Sequence, residues 1–300
     1  VACTDITATE GSHTFTATAT DAAGNSASAS YSWYTDLTNP IVSIDSGPGN
    51  PTNEDSASFT VSSSDDYSMG STVCDFDGTT VDCNEEIENI EEGTHTFTAT
   101  ATDEAGNTAS DSYTWIVDTI SPTVSIESGP YSMTNNNTAE FVFSVDEEYS
   151  VLEFMMDSNS EWTVTSDILT MEGIVDGTHE ISIRATDLAN NTGETTVYIW
   201  VVDTIPPTLE IISGPITPTN SIEASFEINN DDEAATLECS FDNGEWGECT
   251  NLVNYTNVTE GDHTFKARSI DQIGNVGETS LWTWYVDLTA PEVTIETVSE

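Results

Sequence analysis

Residues 92–107 read EGTHTFTATATDEAGN, and residues 10–25 read EGSHTFTATATDAAGN. The ending D-x-x-[GN]-N recurs at intervals of 82 or 84 residues, beginning at Asp21, Asp103, Asp187 and Asp271. The chain's four histidines keep the same interval, and they are His13, His95, His179 and His263. Self-similarity at a fixed period indicates a tandem array, here of units of about 84 residues.

Within each unit the hydrophobic pattern has a period of two. In residues 94–102 the apolar side carries Phe97, Ala99 and Ala101 and the other side carries threonines, and residues 139–145 and 224–228 alternate in the same way. This pattern is typical of half-buried strands. About seven short strands per unit predict an all-β fold of tandem immunoglobulin-like seven-stranded antiparallel β-sandwiches in a linear array. The predicted domains are the end of one repeat (1–36), three complete repeats (37–118, 119–203, 204–287) and the first strand of another (288–300).

The last complete repeat carries a family resemblance. Residues 239–275, CSFDNGEWGECTNLVNYTNVTEGDHTFKARSIDQIGN, are followed at 284–295 by WYVDLTAPEVTI. These stretches resemble the prokaryotic immunoglobulin-like tandem repeats of giant surface adhesins and cell-wall proteins. The resemblance covers all the repeats. It implies an extracellular spacer or adhesive stalk at the cell surface, and in several such adhesins calcium stiffens the domain junctions.

The charge balance restricts the partners. The 300 residues contain 54 Asp+Glu against 3 Lys+Arg, a formal net charge of −51. Neutralising phosphates needs clustered Lys and Arg, so nucleic acid is excluded as a partner, and anionic lipid surfaces are disfavoured. No apolar run reaches the length of a membrane span, so this segment is not expected to insert into a membrane. High salt or bound divalent cations would relieve the self-repulsion, as in a saline extracellular setting.

The cysteines follow the repeat. Cys74 and Cys83 flank one turn, Cys239 and Cys249 flank the corresponding turn two repeats later, and residues 119–203 lack both members. Joint loss predicts the disulfides Cys74–Cys83 and Cys239–Cys249, and hence an oxidising compartment. The alternative, a zinc site, has too few ligands in two cysteines. Cys3 matches the second member of a pair, which places its partner before Val1.

The repeated histidine and aromatic residues each have two interpretations. A histidine could be catalytic, but no repeated serine or cysteine nucleophile accompanies it, so a structural role at the start of a strand is favoured and no enzyme activity is expected in these residues. Aromatic pairs two residues apart could bind sugars on an exposed face or pack in the core, and core packing is favoured. The pairs are Tyr31 and Trp33, Tyr113 and Trp115, Tyr198 and Trp200, and Trp282 and Trp284.

Strand parity groups acidic residues at one pole of each sandwich. Seven alternating strands bring the B–C and F–G loops to the pole where the linker aspartate enters. Calcium takes 6–8 oxygen ligands and tolerates flexible geometry, so we expect a calcium ion at each junction, with hydrated acids as the alternative. The expected ligand groups are Asp36, Asp65, Asp66 and Asp103; Asp118, Asp146, Glu147 and Asp187; and Asp203, Asp231, Asp232 and Asp271.

The sequence therefore predicts an extracellular array whose partners are further copies of the same repeat, with surface glycans or cell receptors as the ligands of an adhesin. Three alternatives stay open: the spacer of a secreted enzyme, a carbohydrate-binding array, and the subunit of a polymeric filament. Four N-x-[ST] sequons mark candidate glycosylation sites at Asn136, Asn190, Asn254 and Asn257.

Overall fold

Alternating threonine and apolar residues form strands throughout the computed structural model, which describes residues 7–157, 159 and 161–295. Over these residues every regular element is a strand, and none is a helix that could cross a membrane. The chain divides into two compact units, Val1–Thr123 with Val145–Val151 and Arg184–Glu194, and Val124–Ser144 with Leu152–Ile183 and Thr195–Glu300. Cys3 and residues 296–300 lie outside the described residues.

The first unit contains a hairpin and two facing sheets. The hairpin pairs β1 with β2, one sheet pairs β3 with β4, and the other has the order β6-β5-β7-β8. The strands are β1 (Gly11–Thr20), β2 (Ser26–Thr35), β3 (Ile41–Ser46), β4 (Thr60–Ser64), β5 (Met69–Phe76), β6 (Thr79–Val81), β7 (Gly93–Asp103) and β8 (Thr108–Val117).

The core of the first unit follows the predicted alternation. Phe97, Ala99 and Ala101 of β7 are buried, and the threonines between them are half-buried. The Phe97 ring stacks on Phe59 with 3.9 Å between centroids, and the fully buried Trp115 packs edge-on against Phe59. Aromatic burial of this size dominates the energetics of a small sandwich core.

The second unit contains two further pairs of sheets. Its sheets have the orders β10-β16-β15-β12-β13, β14-β11-β9, β17-β18-β21 and β20-β19-β22-β23. The strands are β9 (Val124–Ser128), β10 (Met133–Thr134), β11 (Ala139–Val145), β12 (Tyr149–Met156), β13 (Thr163–Thr165), β14 (Ile168–Met171), β15 (Gly177–Asp187), β16 (Thr196–Val202), β17 (Leu209–Ser213), β18 (Ala224–Asn230), β19 (Thr236–Phe241), β20 (Gly247–Glu248), β21 (Leu252–Tyr255), β22 (Gly261–Ile270) and β23 (Ser280–Val286). Strands β11, β12 and β15 run through both units.

The fold is all-β and immunoglobulin-like, as predicted. The predicted repeat 204–287 has the expected seven strands, β17–β23. The repeat 119–203 has eight, because its first strand divides into β9 and β10 around Pro130. The repeat 37–118 has six, because the segment corresponding to β14 and β21 is reduced to a single bridge between Ala57 and Ile87. These differences lie at the sheet edges and leave the paired F and G strands intact. The F and G strands are β7 and β8, β15 and β16, and β22 and β23 in the three repeats.

Candidate metal centre

The D-x-x-[GN]-N motif forms a tight F–G loop closed by its own aspartate. Asp103 Oδ1 accepts the backbone N–H groups of Gly106 (2.6 Å) and Asn107 (2.8 Å), and Gly106 has a φ of 97°, which glycine adopts without strain. Burial acts to raise the pKa of Asp103, but the hydrogen bonds from Asn107 and Gly106 outweigh it, so this pKa is lowered. The loop therefore holds an ionised carboxylate at the pole of the sandwich.

The asparagine that ends the motif also binds the linker from the preceding repeat. Its side-chain nitrogen donates to the carbonyl oxygen of the linker aspartate, while a second hydrogen goes to the carboxylate of the loop aspartate. The linker bonds are Asn107 to Asp36 (3.2 Å), Asn191 to Asp118 (2.7 Å) and Asn275 to Asp203 (2.9 Å). One amide thus joins the linker to the F–G loop in each complete repeat.

The first acidic group consists of Asp36, Asp65 and Asp103. One carboxylate oxygen of each lies within 4.8 Å of the others. Asp36 is 8 % exposed and Asp103 is 3 % exposed. Oδ2 of Asp36 and Oδ1 of Asp65 are buried and accept no hydrogen bond in the structure. Buried carboxylate oxygens without a partner are costly, so this group fits a cation better than it fits three hydrated acids.

The second acidic group consists of Asp118, Glu147 and Asp187, with carboxylate oxygens again within 4.8 Å of one another. Asp187 is 1 % exposed. Burial raises the pKa of Glu147, and the negative charges of Asp118, Asp187 and Asp146 raise it further. A carboxyl group whose ionisation is opposed by its neighbours is where a divalent cation would have the largest effect on local charge.

At the third junction the acidic residues are not drawn together in this way. Asp203, Asp232 and Asp271 line one cavity of about 210 Å³, but among the described residues they form no group within 4.8 Å. The B–C loop also differs in length here: five residues separate β18 from β19, whereas three separate β11 from β12. In the longer loop Oδ1 of Asp232 accepts the Ala234 N–H at 2.8 Å and caps its own turn.

The remaining predicted ligands lie outside these groups. Asp66 is exposed. Asp146 and Asp231 are exposed and accept hydrogen bonds from the start of their own repeats, Asp146 from the Thr123 N–H (2.7 Å) and Asp231 from the Thr208 N–H (2.8 Å). These two aspartates hold the linker in place by hydrogen bonding.

A second set of linker contacts was not predicted from the sequence. An acid stands three residues before each histidine and binds the start of the linker. Three of these acids accept the N–H of the first residue after the linker aspartate: Glu10 from Leu37 (2.7 Å), Glu92 from Thr119 (2.9 Å) and Asp176 from Thr204 (2.8 Å). Glu260 accepts the hydroxyl of Thr289, two residues after its linker aspartate (2.7 Å). The repeated [ED]-G-x-H sequence was the feature from which these contacts could have been predicted. These acids fix the linker to the repeat that it leaves.

The tryptophans of the G strands lie in the core of the complete repeats. Trp115 and Trp200 are fully buried, and Trp284 is 3 % exposed. Their companions turn a polar atom towards strand A, Tyr113 to the Pro48 carbonyl (2.7 Å) and Trp282 to the Pro215 carbonyl (3.2 Å). In these repeats the pairs serve packing. Tyr31 of the first hairpin is 70 % exposed, and Trp33 is half-buried.

Cys74 is bonded to Cys83, and Cys239 is bonded to Cys249. Each bridge joins one strand to the segment after the neighbouring short strand of the same sheet, β5 to the end of β6 and β19 to the end of β20. Cys74 is fully buried. All four sequon asparagines, Asn136, Asn190, Asn254 and Asn257, are exposed.

No protein-family model matches the chain, and no curated protein sequence matches it. Solved structures similar to it include a tetra-tandem repeat from the extending region of a large adhesion protein (20 % identity, 93 % of this chain, 82 % of that chain, TM-score 0.32). Another comes from a 1.5-MDa bacterial ice-binding adhesin (16 % identity, 85 % of this chain, 100 % of that chain, TM-score 0.43). A third comprises fibronectin(III)-like modules of Clostridium thermocellum CbhA (14 % identity, 58 % of this chain, 100 % of that chain, TM-score 0.32).

Proposed function

We propose that the chain is a structural segment of an extracellular adhesive stalk or filament, and that calcium stiffens it at the repeat junctions. The observation that carries the proposal is the buried linker carboxylate of Asp36, whose Oδ2 has no hydrogen-bond partner and lies beside Asp65 and Asp103. The linker and the two loops of the following repeat each contribute one of these acids.

A cation at this place would act on the joint between repeats. The linker already has hydrogen bonds to Asn107 of the following repeat and, through Leu37, to Glu10 of the preceding one. Three carboxylates supply part of the 6–8 oxygens that calcium takes, and backbone carbonyls or water would supply the rest. Binding would remove the repulsion among the three acids and oppose bending of the linker.

The wider features of the chain agree with this role. Two disulfides suit an oxidising, extracellular compartment. The histidine that recurs in each repeat is hydrogen-bonded to an aspartate and to a backbone carbonyl, which suits a structural role better than a catalytic one. We therefore propose no enzymatic role for these residues. Further copies of the repeat are its partners along the chain, and surface glycans or cell receptors are the ligands of such a stalk.

The proposal distinguishes two kinds of junction. At the junctions of Asp36 and Asp118, three carboxylates lie within 4.8 Å of one another, and these junctions would depend on calcium. The junction at Asp203 would be held by hydrogen bonds alone. The stalk would then respond to calcium at two of its three described junctions.

The test is calorimetric titration of the full chain with calcium at about 0.5 M NaCl, which screens loose binding to exposed acids. We expect two saturable sites. Asp36→Asn should remove one and Asp118→Asn the other. Asp203→Asn makes the same charge change at a linker aspartate and should remove neither. Absence of saturable binding, or equal binding by the wild type and by Asp36→Asn, would rule out these sites.

A further inference from the structure

The histidine of each complete repeat places both ring nitrogens against hydrogen-bond acceptors. Nδ1 faces the carboxylate of the aspartate that directly follows β5, β12 or β19, and Nε2 faces the backbone carbonyl of the residue four positions before the histidine. The contacts are His95 to Asp77 (2.7 Å) and the Glu91 carbonyl (2.7 Å), His179 to Asp157 (2.9 Å) and the Val175 carbonyl (2.7 Å), and His263 to Asp242 (2.8 Å) and the Thr259 carbonyl (2.8 Å).

A proton count fixes the charge of the ring. A neutral imidazole carries one N–H and can donate only one of these two bonds. A backbone carbonyl has no hydrogen to offer in return. An ionised aspartate likewise has no hydrogen to donate, and its second oxygen accepts a backbone N–H, as Asp77 Oδ1 does from Thr96 (2.8 Å) and Asp157 Oδ1 does from Glu180 (2.9 Å). Both bonds form only when the ring carries two protons.

The aspartate is held in position by its backbone. Asp77, Asp157 and Asp242 have φ values of 48°, 52° and 49°, in the left-handed region that aspartate tolerates better than most residues. Each also donates its own N–H to the carbonyl of the residue after the histidine, at 3.1, 2.8 and 2.8 Å respectively. Three separate repeats therefore build the same acceptor around the ring.

We infer that His95, His179 and His263 are held as imidazolium ions, one in each complete repeat, and that these ion pairs make the repeats lose stability as the pH rises above neutrality.

The rings are largely buried among aromatic residues, and the charges around them favour the charged state. The side chains of His179 and His263 are 6 % and 5 % exposed, and that of His95 is 12 % exposed. Tryptophan rings lie 5.3–5.8 Å away, and in two repeats a phenylalanine lies on the ring as well. The charged groups that face the rings are all negative: Asp77 and Glu91 at His95, Asp157 at His179, and Asp242 and Asp262 at His263.

The direction of the pH dependence follows. Burial acts to lower the pKa of each ring, but the hydrogen bonds to the aspartate and the carbonyl outweigh it, so the pKa is raised above the ordinary 6.5. A raised pKa in the folded state gives stability that is complete below about 6.5 and is lost as the pH rises through the folded value. Between about pH 7 and 9 the only other ordinary titrations are those of the N-terminal amine and a free cysteine thiol.

The first measurement is a pH titration of the full chain, carrying Cys3→Ser and labelled with ¹⁵N-histidine, by two-dimensional NMR of the ring nitrogens. At pH 7.5 we expect His95, His179 and His263 each to show two protonated nitrogens. A single protonated nitrogen at all three rings at pH 6.5 would overturn the inference, and this test needs no further variant.

The second measurement removes one carboxylate charge. Asp157→Asn should lower the pKa of His179 by about one pH unit, leave His95 and His263 unchanged, and remove most of the loss of stability of its repeat between pH 7 and 9. Asp176→Asn is the matched control, since that carboxylate binds Thr204 and not the ring. An unchanged His179 titration in Asp157→Asn would show that the ion pair does not set the charge.

Discussion

Replacing Asn191 by alanine should loosen the linker at residues 118–123. The side chain of Asn191 makes two hydrogen bonds, one to the Asp118 carbonyl and one to the Asp187 carboxylate, both at 2.7 Å. Its backbone N–H, which also binds Asp187 at 2.9 Å, would be kept. The substitution therefore removes the side-chain connection and leaves part of the loop closure in place.

The two bonds set the magnitude. A bond between neutral groups contributes about 0.5–1.5 kcal/mol, and one to a charged group about 1.5–3 kcal/mol. Together they amount to about 2–4.5 kcal/mol of local stability. Since about 1.4 kcal/mol is a factor of ten in an equilibrium constant, local opening of the linker should become about 30-fold more frequent or more.

Hydrogen exchange measured by mass spectrometry reads this opening directly. The amides of Thr119, Ile120 and Thr123 are bonded to the carboxylates of Glu92, Asp118 and Asp146, so they are protected while the linker stays in place. Asn25→Ala is the matched control, because among the described residues its side chain bonds only Asp21 of its own loop. Faster exchange confined to residues 187–193, with residues 118–123 unchanged, would refute the role of Asn191 in the linker.

Three further predictions concern features that stabilise the repeats, namely the disulfides, Gly193 and His95. Reduction of the disulfides should destabilise the repeats 37–118 and 204–287 by about 2–3 kcal/mol each and leave 119–203 unaffected in hydrogen exchange, whereas an equal effect on all three would contradict the role of the bridges. Gly193→Ala would place a Cβ 1.9 Å from the Pro122 carbonyl oxygen and should cost about 1–3 kcal/mol in urea unfolding, while Gly247→Ala, with no atom within 4 Å, should be neutral; equal effects would contradict the close approach. His95→Gln should lower the melting temperature and leave any measured hydrolysis of model esters and peptides unchanged, and a hydrolase activity that disappears with His95 alone would overturn its structural role.

The fold could be predicted because its signals are periodic. The 84-residue interval indicated a tandem array, and the alternation around Phe97 identified the core face of β7. The buried tryptophans of the G strands followed from the same pattern. Joint loss of two cysteines from residues 119–203 indicated which cysteines pair.

The candidate site was predictable only as far as topology determines it. Strand parity brought Asp36, Asp65 and Asp103 together, and likewise Asp118, Glu147 and Asp187. Strand parity does not determine which hydrogen bonds the side chains of a loop make. The last B–C loop has two more residues than the one before it, and Asp232 caps its own turn there. The 84-residue interval does not reveal such a change in one loop.

The aspartate partners of the histidines were missed for a related reason. Asp77, Asp157 and Asp242 stand 18, 22 and 21 residues before their histidines, because the turns between strands C and F differ in length. Their spacing therefore does not follow the repeat. The sequence signal that could have found them is local: each aspartate is followed by a residue type common in turns, Gly78, Ser158 or Asn243.

The most direct test of a calcium-stiffened stalk is small-angle X-ray scattering of the full chain, with calcium and with a chelator at the same ionic strength. Calcium at a hundredfold excess over its Kd should add about 2.7 kcal/mol of stability per site, raise the melting temperature and restrict bending at the junctions that follow Asp36 and Asp118. The chain with calcium should give the longer and narrower distance distribution, and the double variant Asp36→Asn, Asp118→Asn should give the chelated profile under both conditions. Superimposable wild-type profiles and melting curves with calcium and with chelator would contradict the account.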